Sequence, residues 1–167
     1  MFKILSAALI ALFLVACSSK GEDLSHVKAK LVVGKSLTNL TLNDQFGKAH
    51  TITPDTKKVI FAFSKDAAHT CNDFFETQKP SYLSDNNTIF IADVSAAPSL
   101  IRSMFIMPGL KDFKHTVLIL DNKAEAAPFR KDVENEKVVV VYLDNTKITA
   151  IKTLDSAKEL QETIEAK

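Results

Sequence analysis

Cysteine is scarce in this chain of 167 residues, and Cys17 and Cys71 are the only two. They do not form a Cys-x-x-Cys pair, and the usual zinc-site spacings of cysteine and histidine are missing as well. The sequence also lacks a glycine-rich phosphate loop, a Ser-His-Asp order and a paired-carboxylate motif. Because no motif for a cofactor is present, we predict none.

A surplus of charge of either sign is also lacking. Lysine and arginine number 21 against 20 aspartates and glutamates, and no basic cluster is interleaved with aromatic residues. Nucleic acids and acidic membrane surfaces both select for concentrated basic charge. The charge balance therefore argues against nucleic acid or an acidic lipid surface as a partner. No internal repeat is visible, and the length suits one well-buried domain.

The sequence begins with an apolar stretch, residues 4–16, that is too short to cross a membrane as a helix. It follows the basic residue Lys3 and ends abruptly at Cys17, which is the organisation of a cleaved export signal. The letters LVAC that end at Cys17 resemble the bacterial lipobox. The resemblance implies that Cys17 is lipidated on sulfur and becomes the acylated amino end. A plain signal peptide cut nearby is the alternative.

The lipobox interpretation divides the chain into three parts. Residues 1–16 are a signal peptide, residues 17–28 a polar lipidated tether, and residues 29–167 the folded domain. Ser18 stands where an aspartate would resemble the inner-membrane retention signal, so we expect attachment to the outer membrane, facing the periplasm. Once Cys17 carries lipid, Cys71 is the only thiol of the mature chain, and no intramolecular disulfide can form.

Four strongly apolar runs in the domain show no alternation with polar residues, which is typical of strands covered on both faces by helices. They are residues 59–63, 89–94, 117–120 and 138–143. A hairpin is expected before them, because the turn at residues 44–47 separates two short extended stretches. A second hairpin is expected to turn at residues 144–145.

Helices are expected between and after these strands. The first is predicted to begin near Cys71, and the second to run from an N-cap at Ser95 to a stop at Pro108 and Gly109. A capping box that starts at Ser156 predicts the last helix. The order hairpin, βαβαβ, hairpin, helix predicts an α/β sandwich with a mixed central sheet.

The element order and three stretches resemble the thioredoxin-like fold, specifically its peroxiredoxin and cytochrome-maturation thioredoxin branch. The stretches are LTLNDQFGK at 40–48, VIFAFSKDAAHTC at 59–71 and VVVVYLDNTKITAIKTL at 138–154. The resemblance covers about residues 31–166. It implies a three-layer sandwich with an N-terminal β-hairpin, in which thiol chemistry takes place at the helix after the first central strand.

The resemblance also shows what the chain lacks. The family's two cysteines fall on Ala68 and Cys71, so alanine replaces the exposed nucleophile. In the peroxiredoxin alignment Cys71 takes the peroxidatic position, but the proline and threonine of that motif are Ser64 and Ala68. The cis-proline that faces the redox centre would fall near Val138, and no proline lies between residues 131 and 167.

Two opposed effects act on the Cys71 thiol. A place in the first turn of a helix would lower its pKa through the helix dipole, whereas the acidic residues nearby in sequence oppose ionisation. The helical spacing of Cys71, Phe74 and Phe75 places the sulfur on the face that packs on the sheet. We therefore expect an inert core cysteine. The alternative is a reactive thiol, with His69 and Thr70 as the neighbouring candidate catalytic residues.

Two further candidate sites involve histidine and aspartate. His69 and Cys71, together with His50 and His115, would be metal ligands only if the fold gathered them, and we predict no metal site because their spacing is a weak constraint. Asp93 closes the second central strand at its carboxyl end, where α/β folds gather function. A turn-forming aspartate is the simpler explanation.

The segment 100–107 is apolar around most of its circumference, more than one sheet-facing stripe requires. Met104, Phe105 and Met107 are therefore the candidate partner-binding residues, because methionine-rich surfaces adapt to partners of different shape. Burial beneath a neighbouring loop is the alternative.

These features together predict a lipid-anchored envelope protein whose degenerate thioredoxin-like domain binds a protein partner without catalysis. One alternative is a thiol oxidoreductase or peroxidase that uses Cys71 with an external reductant. Another is a metal-binding envelope protein.

Overall fold

The computed structural model of the protein describes residues 22–166, and the predicted signal peptide and lipidation site at Cys17 lie outside them. The elements follow in the order β1 (Thr41–Asn43), β2 (Ala49–Thr51), β3 (Lys58–Ala62), α1 (Lys65–Glu76), α2 (Tyr82–Asp85), β4 (Thr88–Asp93), α3 (Ser99–Ile101), a π-helical turn (Arg102–Ile106), α4 (Met107–Lys111), β5 (Leu118–Leu120), α5 (Lys123–Arg130), β6 (Val138–Asp144), β7 (Lys147–Leu154) and α6 (Ala157–Glu165). None of the helices in this range is both long enough and apolar enough to cross a membrane.

Strands β3 to β7 form one mixed sheet in the order β5-β4-β3-β6-β7. Strands β3, β4 and β5 run parallel, whereas β6 is antiparallel to both β3 and β7. Strands β1 and β2 form a separate hairpin. The central strand β3 is buried along its whole length, as its unbroken apolar sequence requires. The predicted mixed sheet and N-terminal hairpin are confirmed.

Two apolar cores lie on opposite faces of the sheet. On one face, α1 and α6 contribute residues such as Phe75 and Leu160 to a cluster that includes Phe90 of β4. On the other face, Phe129 of α5 packs with Phe61 of β3, and their ring centroids are 5.5 Å apart. The fold is therefore the predicted three-layer sandwich.

Both predicted hairpin turns are confirmed by their side-chain and backbone geometry. In the first, Asp44 Oδ1 accepts hydrogen bonds from the backbone N–H groups of Phe46 and Lys48, each at 2.9 Å, and Gly47 has a φ of 83°. In the second, Asn145 and Thr146 have φ values of 46° and 68°, as a two-residue hairpin turn demands.

The predicted capping residues of the last helix, Ser156 and Glu159, both cap it, although the glutamate bonds the N–H of Asp155 and not that of the N-cap Ser156. Ser156 Oγ accepts a hydrogen bond from the N–H of Glu159 at 3.2 Å, and Glu159 Oε2 accepts one from the N–H of Asp155 at 2.7 Å. Leu160 and Ile164 then lie in the core. This local signal is reliable because both partners are four or fewer residues apart.

The predicted bounds of the second helix are wrong at both ends. Pro98 rather than Ser95 is the N-cap of α3, and the helical path continues through Pro108 to Lys111. The π-helical turn explains the continuation, because the Met107 N–H bonds to the Arg102 carbonyl five residues earlier, directly before the proline. The wider turn relieves the clash that a proline ring makes with the carbonyl four residues before it.

The sequence does not predict α2 or α5. Helix α5 has only eight residues and contains Pro128, which argues against a helix in any pattern-based interpretation. Asn122 nevertheless starts it, because its Oδ1 accepts hydrogen bonds from the N–H groups of Ala124 and Glu125.

A buried lysine joins the central strand to the last helix. Lys58 Nζ donates hydrogen bonds to the carbonyls of Ile164 at 2.9 Å and Ala166 at 2.8 Å, at the end of α6. We expect Lys58→Met to lower the free energy of unfolding by about 2 kcal/mol, because charge-assisted bonds to helix-end carbonyls are lost. Urea unfolding measures this loss. The control is Lys57→Met at the exposed neighbouring position, and an equal loss there would contradict the role of the two bonds.

Candidate functional site

Helix α1 starts earlier than predicted, and this changes the position of Cys71 within it. Ser64 is the N-cap, and its Oγ accepts a hydrogen bond from the N–H of Ala67 at 3.2 Å. Helix α1 therefore begins at Lys65, and Cys71 is its seventh residue rather than part of its first turn. The dipole effect falls off within the first turn, so the predicted lowering of the thiol pKa by the helix is wrong.

The Cys71 thiol lies in the core beneath α1, with 0% of the residue exposed. Its cluster is apolar and includes Ile60, Phe75 and Phe90. Burial raises the pKa of the Cys71 thiol above its ordinary value, because the interior disfavours the charged thiolate. Both access and ionisation are therefore opposed at this sulfur.

His69 and Thr70, the two candidate catalytic neighbours, do not converge on Cys71. The His69 side chain is exposed, and Thr70 Oγ1 donates a hydrogen bond to the Asp66 carbonyl at 3.1 Å. Successive helical residues point about 100° apart, so three consecutive side chains cannot meet at one point on the same helix. The structure therefore does not assemble an acid, a base and a thiol here.

The four candidate metal ligands lie in separate environments. His50 Nε2 is 2.8 Å from Asp44 Oδ2, whereas His115 Nε2 is 3.0 Å from Asn72 Oδ1. Burial would raise the pKa of Asp44, but hydrogen bonds from His50 and from the turn N–H groups outweigh it and lower that pKa. Within the described part of the chain, no three His, Cys, Asp or Glu side chains are grouped to hold a metal ion.

The place of the missing cis-proline is occupied by the start of a regular strand. Val138 begins β6, is 2% exposed and pairs with Ala62 at the end of β3. No peptide bond in residues 22–166 is cis. The turn that would present an extended guest chain to a thiol is thus absent from this position.

A buried ion pair lies at the carboxyl end of β4 and includes Asp93, one of the candidate functional residues that the sequence indicates. The Asp93 carboxylate is almost fully buried, and its Oδ2 is 3.5 Å from Nε of Arg130 at the end of α5. The other Asp93 oxygen accepts a hydrogen bond from the N–H of Ser95 at 2.8 Å. Arg130 also pairs with Glu22, so the carboxylate is paired and shielded instead of exposed to a ligand.

A shallow polar cavity of about 440 Å³ lies next to this ion pair. Ser95, Arg102, Asn122 and Lys123 are among the residues that line it. The Arg102 guanidinium already donates hydrogen bonds to the carbonyls of Ser95 and Ala97, at 3.2 and 2.7 Å. The arginine therefore stabilises the loop before α3 through one nitrogen, while its guanidinium keeps its positive charge at the edge of the cavity.

His115 is a buried polar side chain, and the sequence did not predict its burial. Only 3% of it is exposed, and the rings of Phe75, Phe90 and Phe113 surround it. Burial lowers the pKa of His115 to about 4, and the carboxylate of Glu76 opposes this only in part. A single histidine before an apolar strand carries no signal of this burial, because the rings of Phe75 and Phe90 come from two other elements, α1 and β4.

The segment from α3 to α4 has one face against the core and one face exposed. Leu110 is buried, and Ile106 and Met107 pack against the same core as Cys71. The exposed face carries the side chains of Leu100, Ile101, Met104 and Phe105, which we call the apolar surface. Of the predicted partner-binding residues, Met104 and Phe105 thus lie on this surface, whereas Met107 is half-buried beside it.

Comparison with known proteins identifies the fold of the chain but does not identify a family. No family model and no curated protein matches the chain. Solved structures do match. One is a candidate protein disulfide isomerase from Bacteroides thetaiotaomicron, with 15% identity, 83% of this chain and 89% of that chain covered, and a TM-score of 0.52. A candidate thiol:disulfide interchange protein DsbE from Chlorobium tepidum also has 15% identity and a TM-score of 0.52, over 80% of this chain and 95% of that chain.

A peroxiredoxin-like protein from Aquifex aeolicus matches with 10% identity and a TM-score of 0.50, over 83% of this chain and 89% of that chain. Together these likenesses show that the chain has a thioredoxin-like fold, as its sequence resemblance implies. At this level of identity they show the fold alone, because one fold supports many functions.

Proposed function

We propose that this protein is a lipid-anchored envelope protein whose thioredoxin-like domain binds a partner without thiol catalysis. The observation that carries the proposal is the Cys71 thiol, which is fully buried in an apolar cluster. Attachment through Cys17 to the outer membrane, facing the periplasm, is part of the proposal and rests on the lipobox resemblance.

Thiol exchange requires a thiolate that a substrate sulfur can approach in line. Burial of Cys71 removes the approach, and the raised pKa removes the thiolate at neutral pH. The neighbouring His69 and Thr70 side chains supply neither a base nor a donor at the sulfur. The same arrangement argues against a peroxidase, because peroxide must also reach a thiolate.

The exposed face of the α3 to α4 segment supports a binding role. Four large apolar side chains are adjacent there, although the segment has a second, buried face that already satisfies its packing on the domain. Contiguous exposed apolar side chains mark interaction sites on many proteins. Among the described residues, the domain thus offers a surface for contact and keeps the Cys71 thiol enclosed.

Alkylation of Cys71 tests the proposal directly. In the folded full chain, we expect alkylation at pH 8 to be slower by about a thousandfold or more than in denaturant, because the thiol must wait for an opening of the core. The matched control is His69→Cys combined with Cys71→Ala, which moves the one thiol that the lipidated chain would keep to an exposed position of the same helix. That control thiol should react at the rate of an unfolded chain.

The competing function, a thiol oxidoreductase or peroxidase, makes the opposite prediction. Rapid alkylation of native Cys71 below pH 7, or formation of a sulfenic acid on addition of peroxide, would refute the non-catalytic proposal. The anchor is tested separately by the mass of the mature protein, which should show acyl chains on Cys17.

A further inference from the structure

We propose that the apolar surface lies in the lipid of the same membrane that holds the anchor. The inference rests on the proposed lipidation of Cys17 and names the partner of the surface formed by Leu100, Ile101, Met104 and Phe105. The contact is apolar insertion into the lipid interface, and it does not depend on acidic headgroups.

The first described residues and the apolar surface lie at the same end of the sheet. The Glu22 carboxylate contacts Arg130, whose Nε is 3.5 Å from the Asp93 carboxylate. Asp93 in turn accepts the hydrogen bond from the N–H of Ser95, and the Ser95 carbonyl accepts one from Arg102, inside the segment that carries the apolar surface. A continuous run of contacts therefore joins residue 22 to this segment.

The contact of Glu22 with Arg130 leaves only the first part of the predicted tether, residues 17–28, between the lipid and this end of the domain. Cys17 and Glu22 are five residues apart, which is at most about 18 Å of extended chain. The acyl chains on Cys17 would lie in the bilayer, so the carboxyl end of the sheet lies close to the lipid headgroups while the Glu22 contact with Arg130 is formed. The apolar surface is consequently held near the bilayer at a high effective concentration, where a weak contact is sufficient.

The predicted anchor, which holds the surface beside the bilayer, favours lipid over a protein or a second copy of the chain, and the small area of the surface is sufficient for lipid. Its four side chains are between two-fifths and two-thirds exposed. Even if each had about 250 Å² of surface, the upper end for an aromatic side chain, the exposed parts would total less than about 600 Å². A stable protein interface needs about 800 Å² from each partner, so a protein on this surface would also have to cover the polar residues around these four side chains. A surface that assists an anchored protein at a bilayer has no such minimum.

Introduced tryptophan provides the test, because the natural chain contains no tryptophan. Phe105→Trp puts a fluorophore on the apolar surface. The matched control is Phe46→Trp, since Phe46 and Phe105 are both 65% exposed, and Phe46 lies in the hairpin turn beside the amino end of β5. Each lipidated full-length variant is purified from membranes and reconstituted into vesicles of neutral phosphatidylcholine, with or without bromine on the acyl chains.

Bromine in the acyl chains should quench the emission of the Phe105→Trp variant by about half or more, because an inserted side chain reaches the acyl boundary. The Phe46→Trp emission should not change. If the Phe105→Trp protein floats with the vesicles and its emission is equal with and without bromine, the inference is overturned. The proposals of the anchor and of the inert thiol would then still stand. Failure of both variants to float would overturn it through loss of the anchor.

A protein partner on this surface would give a different outcome. The Phe105→Trp emission would then stay unquenched in pure lipid and shift to the blue only in native envelope membranes, which also overturns the inference.

Discussion

Replacement of Arg130 by methionine should lower the free energy of unfolding by about 3 to 5 kcal/mol at pH 7, a large share of the stability of a domain this size. The guanidinium is the counter-ion of Asp93, whose side chain is 1% exposed. Methionine preserves the length of the apolar stem but leaves a carboxylate buried and unpaired. Removing one partner of a buried pair is costly for that reason, even where the pair itself adds little.

A double-mutant cycle separates the ion pair from other effects of the substitution. Asp93→Asn removes the buried charge while the Ser95 N–H retains an acceptor of similar shape. The Arg130→Met, Asp93→Asn double variant should therefore be more stable than Arg130→Met alone. Additive losses, measured by urea unfolding of all four proteins, would show that the two side chains do not act as a pair.

The second partner of Arg130 provides a matched control. Glu22 also contacts the guanidinium but is 39% exposed, so its attraction is screened by solvent. Glu22→Gln should change the free energy of unfolding by less than about 1 kcal/mol. A large effect of Glu22→Gln would mean that Arg130 stabilises the protein mainly through its contact with Glu22 and not through the Asp93 carboxylate.

The parts of the fold that sequence patterns predicted are those determined by short-range signals. The apolar runs that became β3 to β6 have no polar interruption, and the capping box at Ser156 lies within one turn of its helix. The hairpin turns at residues 44–47 and 144–145 depend on glycine and asparagine at positive φ. Each of these signals lies inside a window of a few residues, where steric and hydrogen-bonding preferences act directly.

Errors arose where a distant residue or a compensating feature decided the structure. Serine can cap a helix, and Ser64 does so while Ser95 does not, because the Ser95 side chain is enclosed and the helix begins only after Pro98. Pro108 fails to stop its helix because of the π-helical turn before it. Neither outcome is visible in the spacing of residues along the chain.

In the candidate site, too, local sequence signals predicted some features, and distant residues determined the others. The helical spacing of Cys71 with Phe74 and Phe75 correctly placed its sulfur toward the sheet, because the pattern is local to α1. The pairing of Asp93 with Arg130 joins residues 37 positions apart on different elements, so no short sequence motif predicts this pair. Phe75 of α1 and Phe90 of β4, which surround His115 together with the local Phe113, are likewise distant from it in the chain.

The buried His115 should make the protein lose stability on mild acidification. Its Nε2–H donates to Asn72 Oδ1 at 3.0 Å, while Nδ1 has no hydrogen bond and is 3.6 Å from Glu76 Oε1. Burial lowers the pKa of His115 from 6.5 to about 4. Between these two pH values the unfolded chain binds a proton that the folded chain does not, so the stabilisation present above pH 6.5 is lost as the pH falls toward 4.

The expected loss from this one group is about 2 kcal/mol between pH 7.5 and pH 5, and about 3 kcal/mol by pH 4. His115→Gln keeps a donor for Asn72 but cannot titrate, so its unfolding free energy should be nearly constant between pH 7.5 and pH 5. His69→Gln, which removes an exposed imidazole, should retain the pH dependence of the natural protein. Urea unfolding at pH 7.5, 6 and 5 distinguishes the three proteins. If the unfolding free energy of His115→Gln fell with pH as steeply as that of the natural protein, the acid sensitivity would belong to another group. The protonation of the imidazole is the only proton equilibrium that the substitution removes.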